Sequence, residues 1–227
     1  MKKNKFFTAI ITLVISAVML IVIVNLIFNN SKINQGNFRV SDAILTSIVE
    51  LEDKAESSTE WKYDISQNNK VSILVKPNEN ASIKEVYLEK IKIKSKNDVS
   101  IYLEQEEYDV SYKYKNISNG KVNIYTEETE EGNYLIEFNI NNEDVVSNFN
   151  VPNDIKEIRH DGTILNIANI AISDITFNVK YNLIIVENNG QINKCKIEIK
   201  MPDSKVATEG LFVERLNTSE FNFKVDY

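Results

Sequence analysis

From Phe38 onward, apolar and polar side chains mostly alternate with a period of two, the signature of strands with one buried face. Trp61-Lys62-Tyr63-Asp64-Ile65 and Val71-Ser72-Ile73-Leu74-Val75 predict two strands separated by an Asn68-Asn69 turn, the second ending at Pro77. Along Val86 to Lys94 the parity changes between Leu88 and Ile91, which predicts a bulge near Glu89. Short strands follow over Val99–Leu103, Tyr108–Tyr114, Val122–Tyr125, Tyr134–Ile140 and Val145–Val151, with Asn119-Gly120, Gly132-Asn133, Asn141-Asn142 and Pro152-Asn153 as separators. Asn119-Gly120 and Asn189-Gly190 predict type I′ hairpins, because both central residues of that turn take positive φ. The second joins Ile175–Val186 to Ile192–Met201, where Cys195, Ile197, Ile199 and Met201 share one face and four charged residues share the other. Only Ser41–Lys54 is ambiguous, since its apolar residues also line one face of a helix.

The N-terminal pattern is different. Phe6–Phe28 carries no charge, and its polar side chains are Thr8, Thr12, Ser16 and Asn25. A helix of that length spans the roughly 30 Å hydrocarbon core of a bilayer. A cleaved signal peptide would have a shorter apolar core and a small-residue cleavage site, which Asn25–Ser31 lacks. No cysteine ends the run as in a lipoprotein, and the glycine and glutamate that a type IV pilin needs are missing. Lys2, Lys3 and Lys5 precede the span, while Lys32 and Arg39 follow it; this bias predicts a cytoplasmic N-terminus and an external domain.

The expected organisation is therefore a cytoplasmic stretch at 1–5, a transmembrane anchor at 6–28, a polar tether at 29–37 and an extracytoplasmic β region at 38–227. The expected fold class is all-β: an antiparallel β-sandwich, one large or two small in tandem, with a seam near 152–154 in the second case. Asp42–Leu45 and Gly162–Ile167 share a faint pattern, too short to establish a repeat.

Charge narrows the function. The chain has 26 bases and 33 acids; leaving out the three lysines before the span, 23 bases face 33 acids. That balance argues against nucleic acid as a partner, which would need a basic stripe to neutralise phosphates, and against docking of the folded domain on anionic lipid heads. With one histidine and one cysteine, a Cys/His zinc site is excluded.

Candidates for chemistry are few. His160, in Arg159-His160-Asp161-Gly162, could act as a base, but a histidine beside an Asp-Gly turn is ordinarily a surface loop residue. Cys195 would be a nucleophile only if Lys194 and Lys196 lowered its pKa, and its alternation with Ile197 and Ile199 points it into the core instead. Glu127, Glu128, Glu130 and Glu131 offer carboxylates for calcium without the spacing of a calcium loop. Glu104, Glu106, Glu107 and Asp109 lie among Tyr102, Tyr108, Tyr112 and Tyr114, the acid and aromatic mixture of sugar-processing sites. No nucleophile elbow, phosphate loop or dinucleotide fingerprint is present.

The stretches Asn37–Leu45 and Lys156–Leu165 resemble single-pass membrane-anchored proteins of clostridia-like Firmicutes. The resemblance implies a location and a layout, and brings no activity or site residues. The sequence thus predicts a non-catalytic interaction or assembly module of the cell envelope, with no catalytic, cofactor or metal residue assigned. Its expected partners are the lipid bilayer, through the N-terminal helix, and an envelope protein or wall polymer. The alternative is a membrane-tethered carbohydrate-active or calcium-binding enzyme.

Overall fold

The computed structural model describes residues 35–55, 61–103, 110–113, 120–155, 157, 162–201, 206 and 210–226. The expected anchor at 6–28 lies outside them, as does most of the tether; β1 begins at Gln35, so Gln35–Asn37 are strand. Among the described residues no helix is long and apolar enough to cross a membrane. Gly36–Tyr227 forms one compact unit.

That unit is all-β, as expected from the period of two. In chain order its strands are β1 (Gln35–Asp53), β2 (Lys62–Pro77), β3 (Ile83–Lys94), β4 (Val99–Leu103), β5 (Val110–Lys113), β6 (Val122–Ile124), β7 (Thr126–Glu128), β8 (Tyr134–Asn150), β9 (Phe177–Glu187), β10 (Ile192–Met201), β11 (Leu211–Arg215) and β12 (Asn222–Asp226). Two short helices, α1 (Thr163–Ile167) and α2 (Ile172–Ile175), lie between β8 and β9. Ser41–Lys54, ambiguous in sequence, is strand to Asp53, because Ala43, Leu45 and Ser47 bury on one face with β2 alongside. Gly162–Ile167, by contrast, holds α1, so its likeness to Asp42–Leu45 is not structural.

All twelve strands belong to one sheet, with the order β5-β4-β8-β2-β1-β12-β10-β9-β3-β6; β11 pairs with β1 and β7 with β8. The strands on either side of 152–154, β8 and β9, thus share this sheet. Val122–Glu128 closes it on itself: β6 pairs with β3, and after Tyr125 alone β7 pairs with β8. The result is nearly a barrel. Its interior is a continuous apolar cluster that includes Leu45, Ile73, Leu88, Phe138, Leu183 and Ile197. Phe138 of β8 meets Tyr181 of β9 edge to face, ring centroids 5.6 Å apart, although the two strands are not neighbours in the sheet. A second cluster, with Ile65, Ile164, Leu165, Ile175, Val206 and Phe212, lies where α1, α2 and β11 cover the far ends of β1, β2 and β8.

Two expected turns are strand interior. Asn68-Asn69 lies inside β2 and Asn141-Asn142 inside β8, and the two asparagine-rich stretches face each other: Gln67 opposite Asn142, Asn68 opposite Asn141, Asn69 opposite Ile140. Each expected pair of short strands is therefore one long strand, of 16 residues in β2 and 17 in β8. Tertiary packing overrides the local turn preference of asparagine here: β1, β2 and β8 pair along these stretches and Asn69 donates across the sheet to Ile140 O, while the Asn142 amide is buried with no partner among the described residues. The bulge near Glu89 is present: the β3–β9 register slips between Glu89 and Lys92, with Lys90 at φ 52°. The β9–β10 hairpin is present too, but its turn is not type I′. Asn188, Asn189 and Gly190 form a three-residue loop closed by Glu187 N–H donating to Gln191 O, and φ is positive at Gly190 (89°) and not at Asn189.

Candidate interaction surface

The chemical candidates separate cleanly. His160, Glu104, Glu106, Glu107 and Asp109 lie outside the described residues. Cys195 is fully buried in the barrel core beside Ile197, with Lys194 and Lys196 on the opposite face of β10; burial pushes its thiol up to about 12. A thiol so protonated is a small hydrophobe, not a nucleophile. Glu127 and Glu128 are exposed on β7, and Glu130 and Glu131 are exposed in the turn before β8. Among the described residues no three His, Cys, Asp or Glu side chains stand where they could hold a metal ion together. Tyr125, Glu127, Lys70 and Glu137 do share a depression on β8, but at about 120 Å³ it is well below the several hundred Å³ usual for small-molecule sites.

Between the two apolar clusters runs a belt of fully buried polar side chains. Asn69 Oδ1 accepts from Ser47 Oγ (2.6 Å) and Gln67 Nε2 (3.1 Å), and its Nδ2 donates to Ile140 O (3.0 Å). Asn142 lies opposite Gln67. The belt marks the level where the barrel interior gives way to the second core, and it holds β1, β2 and β8 in one register.

A second buried node joins the start of β1 to the β9–β10 hairpin. Glu187, 2% exposed, accepts at Oε1 from Asn193 Nδ2 (2.7 Å), Asn37 Nδ2 (2.9 Å) and Gln191 Nε2 (3.0 Å). Asn193 Oδ1 in turn accepts from the Asn37 N–H at 2.8 Å. Three amides thus replace the water that a carboxylate loses on burial, and the charge needs no cation. The node fastens the chain at the point where β1 leaves its N-terminal segment.

The surface feature is built on β11. The ladder between β1 and β11 pairs Ile48 with Leu211, Ser47 with Phe212 and Thr46 with Val213. It is fixed at both ends, by Val49 N–H donating to Gly210 O (3.0 Å) and Leu216 N–H donating to Ala43 O (2.8 Å). Alternation sends Phe212 into the second core and leaves Leu211 and Val213 outside. Ile48, Leu211 and Val213 are 41%, 46% and 58% exposed, three of the five large apolar side chains exposed among the described residues. Scattered apolar residues on a surface need no explanation, whereas three in contact positions on one ladder make a patch. Among the described residues β11 pairs with β1 alone, so the patch borders an open backbone edge. Nothing in the sequence singled out Leu211–Arg215; three consecutive apolar residues do not reveal which of them the core takes.

No family model, curated protein or solved structure matches the chain. The functional reading therefore rests on this surface.

Proposed function

We propose that the chain is a membrane-anchored, extracytoplasmic interaction or assembly module of the cell envelope, non-catalytic, with a β-sandwich-like domain carried by the segment at 6–28. Its protein partner adds an extended strand to the free edge of β11. The observation that carries this reading is the coincidence of an open edge with the Ile48–Leu211–Val213 patch. Main-chain hydrogen bonds along an edge supply affinity, and alternate apolar side chains supply selectivity.

The test uses the buried state of Cys195. In Val213→Cys the introduced thiol is the reactive one, so a photo-crosslinker can be attached there on intact cells. The expected result is one discrete adduct with an envelope protein, lost when Leu211→Lys is added. Labelling through Asn188→Cys, in the exposed β9–β10 turn, should give no such adduct. Equal adducts at both positions, or none at Val213→Cys, overturn the assignment. External protease acting on a C-terminal tag tests location separately: a tag protected until the membrane is opened places the domain in the cytoplasm and removes the envelope reading.

A further inference from the structure

The outer face of β3, β9 and β10 is charged against the sign of the whole protein. Glu89–Lys94, Asn178–Asn182 and Lys194–Lys200 together carry seven lysines and two glutamates, in a chain of net charge −7. Lys90, Lys92, Lys180, Lys194 and Lys196 line a groove of about 690 Å³ that runs across these strands. Few of these charges are neutralised from within. Lys180 pairs with Glu198 at 2.7 Å, and Lys194 with Asp226 at 3.1 Å and Glu89 at 3.7 Å. Among the described residues Lys90, Lys92, Lys94, Lys196 and Lys200 have no ion-pair partner.

Two features of the backbone concentrate this charge. The register sets Lys92 directly opposite Lys180, a cross-strand juxtaposition of like charges that works against stability. The bulge at Glu89–Lys92 keeps Ile91 and Ile93 in the core and still turns Lys90 toward the groove beside Lys92, adding a cation that strict alternation would have left inside.

We propose that this face binds a linear phosphodiester polymer, laid along the groove and held by five unpaired lysines, Lys90, Lys92 and Lys196 in the groove and Lys94 and Lys200 beyond it on the same face. The cations of the groove are five lysines and no arginine, against two carboxylates, Glu198 and Glu220, so it reads charge density and not the planar geometry that a guanidinium matches. Its apolar and aromatic lining residues, Tyr181, Ile197 and Phe221, are buried, which leaves a protein partner no exposed anchor of the kind that dominates protein interfaces. A flexible polyanion requires none, because its affinity comes from displaced counterions. In a chain of net charge −7, this local excess of lysine directs such a polymer here.

The test titrates the full-length protein, in neutral detergent, with poly(glycerol phosphate). With a salt exponent of about −0.7 per phosphate contact on a single chain, five contacts give a slope near −3.5, a loss of affinity of about a hundredfold between about 50 and 200 mM salt. Lys92→Gln with Lys196→Gln should remove about two contacts, reduce the slope by about 1.4 and weaken binding at low salt at least tenfold. The variant relieves the Lys92–Lys180 opposition, so its urea midpoint should not fall. Arg39→Gln with Lys76→Gln removes two exposed cations paired across β1 and β2, and should leave binding unchanged. Absence of binding at low salt overturns the proposal, as does equal loss in both double variants. Equal affinity for polyglutamate would make the groove a docking site for acidic protein segments, and overturns it too.

Discussion

The buried belt around Asn69 makes the most exacting prediction, because two substitutions that sound alike should act in opposite directions. Leucine has the branching of asparagine at Cγ, so Asn69→Leu fills the same space and removes an acceptor and a donor. Ser47 Oγ and Gln67 Nε2 then lose the acceptor they share, inside a layer with no access to water. Each donor left unpaired costs about 1–3 kcal/mol, together about 4 kcal/mol. The added apolar burial returns at most about 2 kcal/mol. A net loss of about 2 kcal/mol should lower the midpoint of urea unfolding by about 1 M, with an m-value near 2 kcal/mol per M. Adding Ser47→Ala and Gln67→Leu removes the orphaned donors, and the triple variant should recover at least half of the loss. Unfolding of the full-length protein can be followed by the β-sheet circular dichroism band. A single variant as stable as the wild type, or a triple variant less stable than the single one, refutes the reasoning.

Three further outcomes follow from buried or strained positions. The Cys195 thiol has its folded pKa raised from 9.0 to about 12, so its contribution is complete below pH 9 and declines by about 1.4 kcal/mol per pH unit above it, as the unfolded thiol ionises and the folded one does not. Stability against pH, compared with Cys195→Ala, should show that extra decline in the wild type only, and thiol reagents should label the native protein only on unfolding. Tyr181 is buried with its hydroxyl unpartnered among the described residues, and burial holds its pKa well above the usual phenol value. Tyr181→Phe should therefore be neutral or stabilising by about 1 kcal/mol, and a drop in thermal midpoint would contradict this. Gly36 has no room for a side chain: a Cβ there would lie 2.8 Å from Phe223 Cβ and 2.9 Å from Asn193 Oδ1. Gly36→Ala should cost about 1–3 kcal/mol in the same urea assay, and an unchanged midpoint would mean that β12 yields more readily than its packing implies.

The legible parts of the fold are those that depend on one strand at a time. Alternation alone placed Cys195 inside and Lys194 and Lys196 outside, and the parity change between Leu88 and Ile91 located the bulge. The β9–β10 hairpin was visible through Asn189-Gly190, although the extra residue in its loop was not, since Asn-Gly suits both a two-residue turn and the end of a three-residue one. The chemistry-bearing clusters gave little by comparison. The lysines of the groove are written as plain alternation along β3 and β10, which in sequence is indistinguishable from any solvated face.

By itself, then, the sequence determined the class, the inward and outward positions of most strands, and an N-terminal segment apolar enough to anchor. The tertiary structure decided what those strands do together. Asn68-Asn69 and Asn141-Asn142 carry the composition of turns, yet they sit in mid-strand because β2 and β8 pair along both stretches. Val122–Glu128 closes the sheet on itself only because β3 and β8 present unpaired edges on either side of it. Lys92 meets Lys180, and Leu211 meets Ile48, through register between strands far apart in the chain. A period of two shows which side of a strand is apolar; it carries no information about which strand lies alongside, and pairing across the sheet is where the belt, the groove and the open edge arise.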